Sequence, residues 1–178
     1  MKHTIIALLE NEPGVLNRIA SLFRRRNFNI ESLTVCRTES PDYSRMTLVV
    51  DTSETDAELV RKNLAKMINV IDVQDVTHEP IVVRDLALVK IKADAAIRAE
   101  IMDLVQIFNA KVVDVSPDEL VVEVVGYESR VDNFLNMLRP KGIIEMARTG
   151  RIAMPRCGST PHTPTAVLDG HLSLTNDQ

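Results

Sequence analysis

One order of periodicities runs through this chain twice, and Pro80 stands between the two passes. Residues 2–9 form a dense Ile and Leu run that reads as a buried strand. From Gly14 to about Arg26, Val15, Leu16, Ile19, Ala20, Leu22 and Phe23 recur at helical spacing, with Arg18, Arg24, Arg25 and Arg26 mostly off that face. Asn27, Phe28 and Asn29 break the helix. A second strand is expected from Ile30 to about Thr38, then a turn over residues 40–44 and a third strand at "RMTLVVD". Residues 53–56 open a second helix carrying Leu59, Val60, Leu64, Met67 and Ile68. Residues 70–78 give a fourth strand.

After Pro80 the order begins again. "VVRDLALVKIKA" is a strand, and residues 95–108 are a helix with Ile97, Ile101, Leu104, Val105 and Phe108 on one side. "AKVVDVS" and "ELVVEVVG" are strands joined through Pro117 and Asp118. Residues 129–138 are a helix with Val131, Phe134, Leu135 and Leu138, and a last strand lies around residues 142–146. The halves share order more than letters. Two βαββαβ passes make an α+β protein of two ferredoxin-like sandwiches, each a four-stranded antiparallel sheet with both helices on one face. The expected division is 1–78, a linker at 79–82, a second unit at 83–155 and a tail at 156–178. That tail is rich in Pro, Thr, Gly and Ser and reads as disordered.

Such a sandwich leaves a sheet face and an edge strand uncovered. From Ser32 to Cys36 the second strand is uncharged on both faces, with Leu33 and Val35 opposite Ser32, Thr34 and Cys36. Edge-to-edge or face-to-face association of chains is therefore expected.

Composition narrows the function classes. The net charge of -4 gives no electrostatic reason for a nucleic acid or an anionic membrane as partner. Arg24, Arg25 and Arg26 suit a helix C-terminus, and the third strand lacks the aromatics that stack RNA bases. Cys36 and Cys157 share no metal-ligand spacing and are too few for a disulfide scaffold, which fits a reduced, cytoplasmic protein. The start of the chain does not read as a signal peptide, because Glu10 and Glu12 interrupt its first apolar run, and no run is long enough to span a bilayer. His3, His78, His162 and His171 have no ligand spacing, so no metal site is expected. Asp51, Asp72 and Asp75 read as solvent-facing strand residues. No set of residues assigns a nucleophile, a base and an oxyanion donor, so the chain is not expected to be an enzyme. Tyr43, on a turn tip, reads equally as a partner contact or as cover for a sheet edge.

The informative stretch is the first strand-to-helix join, "LLENEPGVLNRI". A helix start leaves backbone N–H groups unpaired and mildly positive. Pro13 has no N–H, and Gly14 has no side chain to obstruct a ligand. The amides of Gly14, Val15 and Leu16 are placed to face a small anion such as an amino acid's carboxylate. Asn11 can cap the helix when the site is empty and bond a ligand when it is filled. Asn29, entering the second strand, can offer a carbonyl oxygen to an ammonium group. Turning and capping alone would also explain Asn, Pro and Gly here, and there is no G-x-G-x-x-G or Walker lysine.

"LLENEPGVLNRIASLFRRRNFNIESLTV" followed by "SRMTLVV" resembles the small, regulatory subunit family of acetolactate synthase, also called acetohydroxyacid synthase. The likeness continues through "LVKI", "AKVVDVSPDELVVEVVG" and "EMARTGRIAM", and the first half also resembles the wider ACT class of amino-acid-sensing domains. The resemblance implies that residues 1–78 are an ACT domain for effector binding and dimerisation. It implies that the second unit associates with a large catalytic subunit carrying thiamine diphosphate, magnesium and FAD, none of them on this chain. It further implies activation of that subunit and feedback inhibition by a branched-chain amino acid, usually valine, in branched-chain amino acid biosynthesis. The implied effector site lies between the ACT domains of a homodimer. Its matching positions here are Asn11, Gly14, Val15, Leu16, Asn29 and Ile30, with Leu9 as an apolar wall. The alternatives are a stand-alone ACT-type sensor acting on another enzyme and an RNA-binding ferredoxin-like protein.

Overall fold

The structure, a computed structural model, describes residues 1–51 and 56–158. Residues 52–55, the tail from 159 onward and with it His162 and His171 lie outside the described part. Contacts divide the chain into Met1–Val82 with the residues after Ile152, and Val83–Ile152.

The first unit follows β1 (Lys2–Glu10), α1 (Val15–Arg26), β2 (Ile30–Arg37), β3 (Tyr43–Asp51), α2 (Ala57–Ala65) and β4 (Val70–Asp75). Its sheet is antiparallel in the order β2-β3-β1-β4, which leaves β2 and β4 at the edges. Helix α1 buries Val15, Ile19 and Phe23, one residue per turn, and leaves Ala20 and Leu16 exposed. Its face is narrower than the sequence pattern because the helix touches the sheet along a single ridge. Those three side chains pack with Ile5, Ala7 and Leu9 of β1, Met46, Leu48 and Val50 of β3, and Val60 and Leu64 of α2. The helix closes as a Schellman-type turn: Asn27 takes φ 54°, and the Phe28 amide donates to the Phe23 carbonyl at 3.0 Å. Phe28 then meets Phe23 edge-on, ring centroids 5.5 Å apart. Asp56 caps α2 by accepting from the Glu58 amide at 3.0 Å.

The second unit follows β5 (Ile81–Lys92), α3 (Arg98–Ile107), β6 (Lys111–Val115), β7 (Glu119–Gly126), α4 (Glu128–Leu138) and β8 (Ile143–Arg148). Its order, β6-β7-β5-β8, is that of the first sheet. Ala87, Val89 and Ile91 of β5 and Leu120, Val122 and Val124 of β7 alternate into a core with Ile101, Val105, Val131 and Phe134. Their strand neighbours Leu88 and Val125 point away from the helices and stay exposed.

The helix α2 ends at Ala65, so Met67 and Ile68, read as part of it, lie beyond its end. Four further features differ from the sequence reading. Ile81 and Val82, in the stretch read as linker, already belong to β5. A ninth strand, β9 (Ile152–Pro155), pairs with β5, and the Arg156 amide donates to the Pro80 carbonyl at 3.0 Å. Its four residues are too few to show a period. In the first unit the sheet face away from the helices is buried at Ile6, Leu8, Thr47 and Val49, so that face is not the open one expected. On it Arg45 donates to the Ala153 carbonyl at 3.3 Å.

The fourth difference is Asp75, which is half-buried and fastens β4 to β1. It accepts from His3 Nδ1 at 2.7 Å and from both the hydroxyl and the amide of Thr77, while the Thr4 amide donates to that hydroxyl at 2.9 Å. Burial alone would raise the Asp75 carboxyl. Hydrogen bonds from Thr77 and His3 outweigh it and hold the group below its ordinary value. The folded state therefore favours the carboxylate. Its contribution is complete above the ordinary carboxylate range, about pH 4, and is lost as pH falls through the lowered value. Asp75→Asn is expected to lower stability at neutral pH and to flatten the decline of stability below about pH 4. Denaturant midpoints measured across pH would show both effects, and an unchanged acid limb would refute this role for Asp75.

Candidate functional site

Strand β1 ends at Glu10, opposite Tyr43 of β3, so the chain leaves the sheet beside the β2–β3 turn. The Asn11 amide donates to the Asp42 carbonyl at 2.7 Å. Its side-chain Nδ2 donates to the Pro41 carbonyl at 2.8 Å, and its Oδ1 accepts from the Ser44 hydroxyl at 3.1 Å. Asn11 is thus committed to the neighbouring turn. It does not cap α1, contrary to the expectation from its position three residues before Gly14.

The residue at the helix entrance is Gly14, at φ 89° and ψ -10°, with no side-chain cap. A side chain rarely adopts that backbone conformation, and a Cβ added there would meet nothing within 4 Å. The glycine therefore serves the turn, and open space lies over it. The Val15 amide makes one long bond, 3.4 Å, to the Glu12 carbonyl. Among the described residues no acceptor stands against the amides of Gly14, Leu16 and Asn17. Asn17 joins the set that the sequence suggested, because the αL turn shifts the helix start to Val15.

Beside this entrance lies an open cleft of about 260 Å³. Leu9, Val15, Leu16 and Val35 give it aliphatic walls, while Asn11, Ser44 and Arg37 supply polar groups. Val35, Cys36, Arg37 and Ser44 were not anticipated, since only the β2–β3 register, with Arg37 opposite Ser44, brings them to the loop. Glu10 also lines the cleft, and its Oε2 accepts from Asn69 Nδ2 at 2.6 Å.

The anticipated residues fall into two groups. Leu9, Asn11, Val15 and Leu16 line the cleft, and Gly14 stands at its mouth in sequence. Asn29 and Ile30 do not. Ile30 lies opposite Val50, at the other end of β3 from Tyr43. Seven residue steps, from Tyr43 to Val50, separate those ends, about 23 Å. One small metabolite cannot touch both groups within a single copy of this unit. Among the described residues no cluster of three His, Cys, Asp or Glu side chains is placed to hold a metal, and no helix is long and apolar enough to cross a membrane.

Residues 5–72 match the family model described as the AHAS small subunit-like ACT domain, and residues 84–157 match the one for the small subunit of acetolactate synthase. A probable acetolactate synthase small subunit of Archaeoglobus fulgidus is 51% identical over 156 residues, 88% of this chain and 98% of its own. The chain belongs to the acetolactate synthase small-subunit family. The small subunit of Mycobacterium bovis is 46% identical over 154 residues, 86% of this chain and 92% of its own. The crystal structure of the Thermotoga maritima small subunit superposes with a TM-score of 0.82 at 37% identity, covering 89% of this chain and 99% of that one. Both sandwiches, and the ACT character of the first, are therefore features of the family.

The Asn11 geometry has a direct consequence. Asn11→Ala removes the partner of a Pro41 carbonyl and leaves the buried Ser44 hydroxyl without its acceptor, which is expected to cost about 1–3 kcal/mol. Equal chemical-denaturation midpoints for the variant and wild type would mean that Asn11 does not hold the turn.

Proposed function

We propose that this small subunit binds and activates the acetolactate synthase catalytic subunit, and that valine or a related branched-chain amino acid, bound at the Gly14 entrance, makes the complex subject to feedback inhibition. The chain itself performs no catalysis. Thiamine diphosphate, magnesium and FAD belong, in this reading, to the catalytic subunit, with which the second unit associates. The setting is cytoplasmic branched-chain amino acid biosynthesis.

The observation that carries the reading is the uncapped entrance of α1, with unpaired amides beside an aliphatic cleft. Amides at a helix start favour a carboxylate, and walls of Leu9, Val15, Leu16 and Val35 suit a branched aliphatic side chain. The distant pair Asn29 and Ile30 fits the same site if a second copy brings its own β2 start to the first copy's loop. Edge strand β2, with Leu33 42% exposed, supports such a homodimer. Valine burial at about 1.5–3 kcal/mol, the helix-end carboxylate and charge-assisted hydrogen bonds leave a net of about 5–7 kcal/mol after ordering costs. That corresponds to affinities from about ten to a few hundred micromolar, in the range of a sensor of pool size. One methylene changes binding by only about 1–3 kcal/mol, so leucine and isoleucine are competitors.

Bridging two units, valine would favour one arrangement of the dimer, and a coupling of about 1–3 kcal/mol to the catalytic subunit would produce strong inhibition. In reconstitution, added small subunit is expected to raise acetolactate formation several-fold, and millimolar valine to reverse most of the gain. No change in rate on mixing would refute the assignment.

A paired substitution tests the site. Asn and Asp both tolerate a left-handed backbone and differ mainly in charge. Gly14→Asp is expected to weaken the valine response at least about tenfold relative to Gly14→Asn, because it sets a carboxylate where one must bind. Equal valine inhibition in the two variants would place the effector elsewhere.

A further inference from the structure

A second concavity lies on the helix side of the first unit, between α1 and the turn that leads from α2 into β4. It is an open groove of about 560 Å³. Arg18, Arg24, Arg25 and Lys66 line it, and no Asp or Glu does. Among the described residues none of these four cations has a carboxylate partner, in a chain whose net charge is -4. At its edge Ile68 is 93% exposed, beside the half-buried Leu22 and Met67. An aliphatic side chain so fully in water has no role in the unit's own core.

The groove is tied to the loop described above. Arg18 Nη1 donates to Asn69 Oδ1, and the other end of that amide, buried to 5% exposure, donates to Glu10 Oε2. The Glu10 amide in turn donates to the Asn69 carbonyl at 3.0 Å. Glu10 immediately precedes Asn11. Whatever engages Arg18 therefore pulls on a side-chain chain that ends one residue from the effector loop.

The geometry points to this groove as a docking surface for an acidic segment of the catalytic subunit that carries an apolar residue to Ile68. The inference rests on the function proposed above and adds a contact in the first unit to that of the second. A two-fold pairing of this groove with its own copy would set four cations against four cations, so the groove does not pair with itself. A small phosphate compound would use the cations and gain nothing from Ile68. A protein surface uses both, as an apolar centre within a charged rim.

The test uses the full chain with its catalytic subunit, and each isolated variant is first checked for wild-type melting temperature and valine-induced thermal shift. Arg24→Glu with Arg25→Glu, and separately Ile68→Ser, are expected to weaken association more than about fivefold. Wild-type association is expected to fall steeply with salt. Should the double charge reversal not fold, Lys66→Glu replaces it. Losses smaller than about fivefold in both variants, or salt-independent association, would overturn the groove while leaving the proposed function standing. So would tripolyphosphate binding to the wild-type chain without displacing the catalytic subunit. Failure of the wild type to associate at all would overturn both.

Discussion

The pairing of β1 with β3 sets the position of the α1 entrance and of the cleft beside it. Their ladder runs from Lys2 opposite Asp51 to Glu10 opposite Tyr43 without a break. It therefore delivers the end of β1 to the β2–β3 turn, where Asn11 can reach Pro41 and Ser44. With Asn11 held there, the chain has three residues in which to reverse onto the sheet before Val15 must enter the core. That turn is made at a positive φ, which Gly14 supplies. The bare helix entrance is thus a consequence of strand register, turn chemistry and core packing acting together. A slip of one residue in β1 would turn Ile5, Ala7 and Leu9 out of the core and carry the loop away from its turn.

The same register separates Asn29 and Ile30 from the loop. Distance along an extended strand is nearly incompressible, so no side-chain rearrangement within one copy can close a gap of about 23 Å. A site that needs both groups needs two chains. Under the proposed reading this makes effector binding and association mutually dependent: ligand that touches both chains stabilises the pair, and dilution of the pair weakens the ligand. In that reading an isologous dimer would hold two equivalent sites, each with a loop from one copy and a strand start from the other.

The sandwiches were legible because each half buries one face per element, and burial writes a period into the sequence. Ala87, Val89 and Ile91 alternate as a strand facing one layer of helices must, and Val131, Phe134, Leu135 and Leu138 repeat as a packed helix must. Gly14 was legible as an entrance because glycine after proline at a strand-to-helix join is a backbone signal. What the sequence did not carry was pairing. Asn11 looked like a cap because capping is the local use of asparagine three residues before a helix, and its actual partners are 30 and 33 residues away. Val35, Cys36 and Arg37 enter the cleft only through the β2–β3 ladder. Asp75 read as solvated because nothing local announces His3 across the sheet. β9 escaped because four residues cannot show a period.

The buried amide of Asn69 joins the cleft side of the first unit to its groove side. An amide has one donor end and one acceptor end, and here each is spoken for, by Glu10 and by Arg18. Displacing either partner leaves a buried polar group unpaired, at a cost of about 1–3 kcal/mol. That is comparable to a typical coupling energy between sites. The relay is short, its middle member is locked, and its ends lie on the cleft and on the cationic groove. Under the proposed reading, transmission between the two surfaces would need no large motion: a change of partner at Arg18 would alter what holds Glu10, and with it the end of β1 from which the Gly14 loop begins.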